Sequence, residues 1–181
     1  MGKKGENAMK IVMIYDQIQA GMGAKDDKMV PLGILKETVG PAIMMESYLK
    51  QNDGRVMATL YCGNGTYAKN PDEVCRKLVA MVHKLNPDVV MCGPAFNYAE
   101  FAQMSARVAA EIVAAGKIPA IAAMSEENTE TIEAHRDKVD IVRTPKKGGI
   151  GLNESLKNMV ELARGLVDGA NVDELKQKVC F

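Results

Sequence analysis

Residues 71–93 read PDEVCRKLVAMVHKLNPDVVMCG and contain both of the patterns that recur along this chain. Apolar residues recur with helical spacing over Pro71–Asn86, which predicts an amphipathic helix. Asn70 followed by Pro71 is typical of a helix start, and Pro87 marks the end of the helix. The next run, Asp88–Gly93, is short and almost wholly apolar. It predicts a strand that is buried on both faces of a parallel sheet.

The same alternation of strand and helix extends over the rest of the chain. A second helix is predicted over Glu100–Lys117 and a third begins near Asn153. Four further strand-like runs are Lys10–Asp16, Arg55–Gly63, Pro119–Met124 and Val139–Thr144. This alternation predicts an α/β fold, a three-layer α/β/α sandwich around a five-stranded parallel sheet. We expect the flavodoxin-like strand order 2-1-3-4-5, with a plain Rossmann-like half as the alternative.

The length of 181 residues fits one domain. We assign residues 1–8 to a flexible N-terminal extension, residues 9–170 to a single α/β domain and residues 171–181 to a short C-terminal helix. One connection is unusually long, because Gln17–Thr38 separates the first strand from its helix where two to six residues are common. A loop of this length is either functional or disordered.

Charge and hydropathy exclude several classes of protein. The 23 Lys and Arg residues balance 23 Asp and Glu residues, which argues against a nucleic-acid binder that neutralises phosphates. No apolar run is long enough to cross a membrane, and the first residues lack the apolar core of a signal peptide. We therefore expect a cytoplasmic protein with no membrane contact.

Candidate binding residues follow the strands, because ligands of open parallel sheets bind beyond the carboxyl ends of the strands. Asn64, Thr66 and Asn97 are suited to hydrogen-bonding a small polar ligand, and Tyr67 and Tyr98 to forming its walls. These side chains predict a polar binding edge. Turn propensity alone also explains Asn64 before a glycine, and that alternative stays open.

Charged candidates follow the fourth and fifth strands. Glu126 or Glu127 is suited to holding a cationic amine, and Lys146 to holding a carboxylate or phosphate. A solvated loop that ends in a helix cap at Asn128 explains the acidic pair equally well.

The residues alone reveal no catalyst. The four cysteines and two histidines show no zinc spacing, and no phosphate-binding loop or catalytic triad is present. Cys62 and Cys92 both end strands, but in the predicted order the first strand lies between them. Their backbones would then be roughly 9–10 Å apart, which is too far for a disulfide. Buried structural thiols are the better interpretation, and we expect no bound metal.

Several of these loops resemble a known family. Five segments are similar to parts of selenoprotein B of the glycine, sarcosine and betaine reductases: Lys10-Ile11-Val12, Val39-Gly40-Pro41, Cys62-Gly63-Asn64, Gly93-Pro94-Ala95-Phe96-Asn97 and Glu126-Glu127-Asn128. The resemblance runs from about Met9 to about Gly169. It adds residues to the predicted substrate-binding set, which becomes Cys62, Asn64, Thr66, Tyr67, Gly93, Phe96, Asn97, Glu126, Glu127 and Asn128.

The resemblance implies a part in amino-acid fermentation by anaerobic bacteria. Family members cleave the C–N bond of glycine or an N-methylated glycine reductively, using a selenocysteine and a pyruvoyl-bearing partner subunit. The partners it implies here are other reductase components, or a C-terminal half that carries the selenocysteine, together with a small amino acid or amine ligand. We expect an oligomer or a hetero-complex and no cofactor bound to this chain itself.

Two departures from the family pattern are present. The selenocysteine-bearing half is absent, and Cys180 has only Phe181 after it. The resemblance therefore implies a truncated, split or paralogous protein that acts only with partners. The alternative is a stand-alone flavodoxin-like binding or assembly protein without catalysis.

Overall fold

The computed structural model describes residues 8–181, so nearly all of the predicted N-terminal extension lies outside the described residues. The strands are β1 (Met9–Tyr15), β2 (Gly33–Leu35), β3 (Gly54–Tyr61), β4 (Val89–Cys92), β5 (Ala120–Met124) and β6 (Asp140–Arg143). The helices are α1 (Pro41–Met44), α2 (Glu46–Gln51), α3 (Asn64–Lys69), α4 (Pro71–Leu85), α5 (Ala99–Ala114), α6 (Thr129–His135), α7 (Leu152–Val167) and α8 (Asp173–Val179).

The strands form one sheet in the order β2-β3-β1-β4-β5-β6. All neighbouring pairs are parallel except β2 and β3, which run antiparallel. Met13 at the centre of β1 pairs with Thr59 on β3 and with Met91 on β4. The predicted order 2-1-3-4-5 is therefore confirmed for the five parallel strands.

The sheet has six strands rather than the predicted five. The additional strand, β2, lies inside the long first connection, where Ile34 pairs with Leu60 of β3. Three residues are too few to show a period, so the sequence pattern could not reveal this edge strand.

Helices cover both faces of the sheet, as the three-layer prediction requires. On one face α4 and α6 both pack against α5, which contacts β4 and β5. On the other face α2 packs against α7, which also contacts β4, β5 and β6. Every residue of β4 and β5 is buried, which explains why these strands are continuous apolar runs.

The long first connection is folded against the carboxyl edge of the sheet. The backbone N–H of Gly63 donates to Val30 O at 2.9 Å, and that of Gly65 donates to Lys28 O at 2.8 Å. The side chain of Thr66 also donates to Val30 O, at 2.9 Å. These bonds fix the connection beside the strand ends.

Within residues 8–181 there is no helix with the length and apolar character needed to cross a membrane.

Near the C-terminal end of the described residues, α8 is followed by Cys180, which forms an antiparallel bridge to Val142 of β6. This contact joins the C-terminal residues to the sheet.

Candidate functional site

The carboxyl ends of β1 and β4 mark the switch point of the sheet. From β1 the chain crosses to β3 on one side, and it then passes over β1 to reach β4 on the other. Loops diverge at such a point and leave a crevice beyond the strand ends, where open α/β sheets bind their ligands. The chain therefore has its best-placed crevice beside the residues that follow Tyr15 and Cys92.

A buried carboxyl group lies at this switch point. Asp16 follows β1 and is fully buried. The backbone N–H of Gln19 donates to its Oδ1 at 2.8 Å, and Nδ2 of Asn64 donates to its Oδ2 at 3.1 Å. Burial raises the pKa of the Asp16 carboxyl, and these hydrogen bonds offset part of that rise. A carboxyl group with a raised pKa in a crevice is a candidate for ligand binding or proton transfer.

Two glutamines tie the neighbouring strand ends together. Oε1 of Gln17, which is fully buried, accepts the backbone N–H of Asn64 at 3.0 Å. Nε2 of Gln19 donates to Pro94 O at 2.8 Å. The segment after β1 is thus bonded to the segments after β3 and β4, which makes the edge one connected polar unit.

Two clefts meet at Asp16. The larger one, here called the large cleft, has a volume of about 420 Å³. Its lining residues come from four segments of the chain: Asp16, Ile18, Gln19, Gly40, Pro41, Met44, Phe96, Tyr98, Pro145, Lys146, Lys147, Gly148, Gly149 and Leu152. The small cleft has a volume of about 270 Å³, and it is lined by Asp16, Ile18, Lys25, Lys28, Asn64, Asn97, Tyr98, Ala99 and Glu100. Tyr98 and Ile18 separate the two.

Three members of the predicted substrate-binding set line these clefts. Asn64 and Asn97 line the small cleft, and Phe96 lines the large one. Tyr98 and Lys146, also singled out from the sequence, line the clefts as well. The loops after β3, β4 and β6 therefore meet at the edge where the strand-end rule predicts a ligand.

Other members of the set lie beneath this edge. Cys62 is fully buried, and its thiol donates to Gly63 O at 3.5 Å. Thr66 holds the long first connection through Val30 O. The Tyr67 side chain is buried, which raises its pKa to about 12. These contacts are structural, and none of these three residues lines either cleft.

The segment after β4 is shaped by its neighbours. Gly93 has a φ of 105°, and a Cβ there would lie 2.8 Å from Ala123 O. Nδ2 of Asn128 donates to Phe96 O at 2.7 Å and to Ser125 O at 3.2 Å. Gly93 and Asn128 thus set the position of Phe96 in the wall of the large cleft.

The acidic pair lies apart from the switch point. Glu126 and Glu127 are exposed. Glu126 lines a different cleft, of about 410 Å³, together with Arg143 and Phe181. That Glu126 or Glu127 holds an amine stays a prediction. The carboxyl group that lines both of the clefts at the switch point is that of Asp16.

The sequence interpretation missed Asp16, Gln17 and Gln19. The sequence did contain a signal for Asp16, because it is the polar residue directly after an apolar strand. Asn64 and Asn97, which were singled out, also follow strands, at a distance of a few residues.

Another cleft, of about 480 Å³, is lined by residues of α2 and β3, among them Glu46, Lys50, Asp53 and Arg55. It does not contain the strand ends, so we do not assign the ligand to it.

Arrangement and charge define the chemistry of the edge. Asp16 offers a buried acceptor, whereas Lys146 and Lys147 are exposed at the mouth of the large cleft and Lys28 at the small one. Nζ of Lys147 lies 5.7 Å from the centroid of the Tyr98 ring. A buried acceptor with exposed ammonium groups at the cleft mouths suits a ligand with one cationic and one anionic end.

Among residues 8–181 no group of three or more His, Cys, Asp or Glu side chains could hold a metal ion.

All four thiols are expected to be unreactive in the folded protein. Burial raises the pKa of Cys62 and Cys75 to about 11 and that of Cys180 to about 12, and it shifts the pKa of Cys92 in the same direction. The thiolate is the nucleophile, so a disulfide reagent at a pH of about 8 should label none of them within minutes. The same reagent in concentrated guanidinium should label all four. Rapid labelling of the folded chain would show that at least one thiol is accessible.

Comparison with known proteins gives a family. The family model for glycine/sarcosine/betaine reductase selenoprotein B matches residues 8–180. The glycine reductase complex component B subunit gamma of Carboxydothermus hydrogenoformans is 29% identical over 140 residues, which are 77% of this chain and 32% of that protein. The sarcosine reductase complex component B subunit beta of Peptoclostridium acidaminophilum is 25% identical over 154 residues, covering 85% of this chain and 35% of that protein.

A third relative agrees. The glycine reductase complex component B subunit gamma of Symbiobacterium thermophilum is 27% identical over 161 residues, which are 89% of this chain and 37% of that protein. The chain thus spans between 32% and 37% of the length of these three relatives. No solved structure is significantly similar to the chain. Because the family model covers nearly every residue, this chain belongs to the glycine/sarcosine/betaine reductase selenoprotein B family.

Proposed function

We propose that this chain is the substrate-binding part of a reductase B component. It holds a small amino acid such as glycine, or an N-methylated glycine, at the carboxyl edge of the sheet. The observation that carries this proposal is the buried Asp16 carboxyl at the switch point, between two clefts, in a member of this family. The names of the relatives, which are components of glycine and sarcosine reductase complexes, support the same ligand class.

Each end of such a ligand has a partner at this edge. The ammonium group bonds to the Asp16 carboxylate, since a buried charge needs an opposite charge beside it. The carboxylate group faces the exposed ammonium groups of the lysines at the cleft mouths. Tyr98, one of the two tyrosines predicted to wall the ligand, lines both clefts, and Phe96, a member of the predicted substrate-binding set, lines the large one.

The reductive chemistry belongs to a partner in this proposal. The 181 residues contain no selenocysteine, and burial holds the cysteine thiols in the protonated form. No residue of the edge therefore supplies the selenol that the family uses. The chain binds and orients the substrate, and other reductase components, carrying the selenocysteine and the pyruvoyl group, act on it in the cytoplasm.

Exposed apolar side chains beside the large cleft support this dependence on partners. Ile18 and Met44 line the cleft and are 36% and 47% exposed. Ile43, adjacent to Met44, is 57% exposed, and Ile150, next to the lining residue Gly149, is fully exposed. Exposed apolar groups clustered around a cleft are typical of a surface that another chain covers. The same observation favours the second candidate, an assembly protein that binds no small molecule.

Calorimetric titration of the full chain separates the two candidates. We expect saturable heats with at least one of glycine, sarcosine and betaine, and none with acetate or methylamine, each of which carries only one of the two charged ends. Binding of none of the three amino acids, together with a mass in solution above that of the monomer, would favour the assembly protein.

A further inference from the structure

One buried polar atom beside Asp16 has no partner. Asn64 is 7% exposed, and its Oδ1 accepts no hydrogen bond from any group among residues 8–181. Its Nδ2 donates to Asp16 Oδ2, and its backbone N–H donates to Gln17 Oε1. The orientation of the amide is fixed by chemistry, because a carboxylate accepts the NH₂ group and would repel the oxygen.

The polar groups at this point are therefore acceptors. The Asp16 carboxylate accepts only, and Asn64 presents its free oxygen. Leaving a buried acceptor without a donor is costly, and a ligand that brings N–H groups removes that cost. Asp16 and Asn64, here called the acceptor pair, both line the small cleft.

Donor side chains also line the small cleft, together with the carboxylate of Glu100. Lys25 and Lys28 line it, with Lys28 Nζ lying 3.0 Å from Glu100 Oε1. Asn97 lines the same cleft, and its Oδ1 is already occupied by the backbone N–H of Lys147 at 3.0 Å, which leaves its NH₂ group as a donor. The small cleft thus offers acceptors for an amine and donors for a carboxylate.

We propose that the acceptor pair makes this site select primary and secondary amines over quaternary ones, so that it accepts glycine and sarcosine and rejects betaine. This rests on the proposed function and names the substrate subclass of the same site. Glycine carries three N–H donors and sarcosine two, enough to bond both acceptors. Betaine carries none, and its three methyl groups would desolvate Asp16 and Asn64 Oδ1 without bonding either of them. Sites built to hydrogen-bond a group reject analogues that lack it far more strongly than apolar pockets reject a methyl group.

A graded ligand series tests the proposal. Glycine, sarcosine, N,N-dimethylglycine and betaine are titrated calorimetrically into the full chain under one set of conditions. We expect similar affinities for the first two, a drop for dimethylglycine, and binding of betaine weaker than that of glycine by on the order of 100-fold.

Substitution of Asn64 tests its part. Asn64→Leu keeps the side-chain size and removes both the free Oδ1 and the Nδ2 group that donates to Asp16. We expect it to weaken glycine binding at least about 10-fold with little effect on betaine. Asn97→Leu, the matched change at the other asparagine that lines the small cleft, should weaken all four ligands alike and leave their ratios unchanged. If Asn64→Leu fails to fold by circular dichroism, Asn64→Ala removes the acceptor at the same position without adding a larger apolar side chain.

The outcomes separate this inference from the proposed function. Equal affinity for glycine and betaine would overturn the selectivity and leave the proposed function standing. Unchanged glycine binding in Asn64→Leu would show that water satisfies Oδ1, and it would also overturn the selectivity. If none of the four ligands binds, both fail together.

Discussion

Asp16→Asn is expected to weaken the binding of glycine by on the order of 100-fold without lowering the stability of the fold. Removing one partner of a buried, hydrogen-bonded charge pair costs roughly 2–5 kcal/mol of binding free energy. The fold should tolerate the change, because asparagine fills the same space and still accepts the backbone N–H of Gln19. The side chain of Asn64 can rotate to accept the new NH₂ group through its Oδ1.

The pH dependence of stability gives this prediction a second measurement. Burial raises the pKa of the Asp16 carboxyl above its ordinary value of 3.8, so between 3.8 and the folded-state pKa the native protein binds more protons than the unfolded one. The free energy of unfolding contributed by Asp16 therefore falls as the pH rises through that interval. Asp16→Asn lacks this contribution, and its stability relative to the wild type should rise with pH over the same interval.

Urea denaturation at several pH values and glycine titration at neutral pH check both results. Asp26→Asn, an exposed carboxyl in the same long connection, is the matched control and should change neither. Wild-type glycine affinity in Asp16→Asn would show that the amine bonds elsewhere. A variant that is less stable than the wild type at neutral pH would show that the Asp16 charge is stabilising.

Gly40→Ala is expected to lower the free energy of unfolding by about 3 kcal/mol or more. Gly40 has a φ of 58°, in the left-handed region that alanine adopts at a cost. A Cβ at this position would also collide with the backbone carbonyl oxygen of Gln19. That oxygen cannot move freely, because the backbone N–H of Gln19 is bonded to Asp16 and its side chain to Pro94.

Gly116→Ala is the control that separates strain from collision. Gly116 has a φ of 78°, and a Cβ there would have no atom within 4 Å. The control should therefore lose only about 1 kcal/mol, the cost of the left-handed backbone. Chemical denaturation of both variants measures the difference. Equal losses of unfolding free energy would mean that the segment carrying Gln19 moves aside at no energetic cost.

The parallel sheet was predictable because its strands are buried on both faces. Burial of this kind makes β4 and β5 short apolar runs, and helical spacing between them leaves few topologies. The edge strand β2 was not predictable in this way. It exists because the long first connection happens to pass beside β3, and that is a tertiary contact between residues far apart in sequence.

The candidate site was predictable in part. The strand-end rule pointed to Asn64 and Asn97, and both line a cleft at the carboxyl edge of the sheet. It could not show which polar residue is buried, because the partner of Asp16 is Asn64, at a sequence separation of 48 residues. The glutamines that join the strand ends depend on similar long-range bonds, with Gln19 reaching Pro94 across a separation of 75 residues. No local pattern records such pairings.

The attachment of the long first connection has a consequence for binding entropy. Lys28 O and Val30 O each accept two hydrogen bonds from the residues after β3, so the connection is already in place when a ligand arrives. A ligand with about five non-hydrogen atoms can gain at most about 1.5 kcal/mol from each of them. Ordering a mobile loop of this length would consume that gain, since fixing each residue costs about 1–2 kcal/mol. The preorganised edge therefore spares a small ligand the entropic cost of ordering this connection.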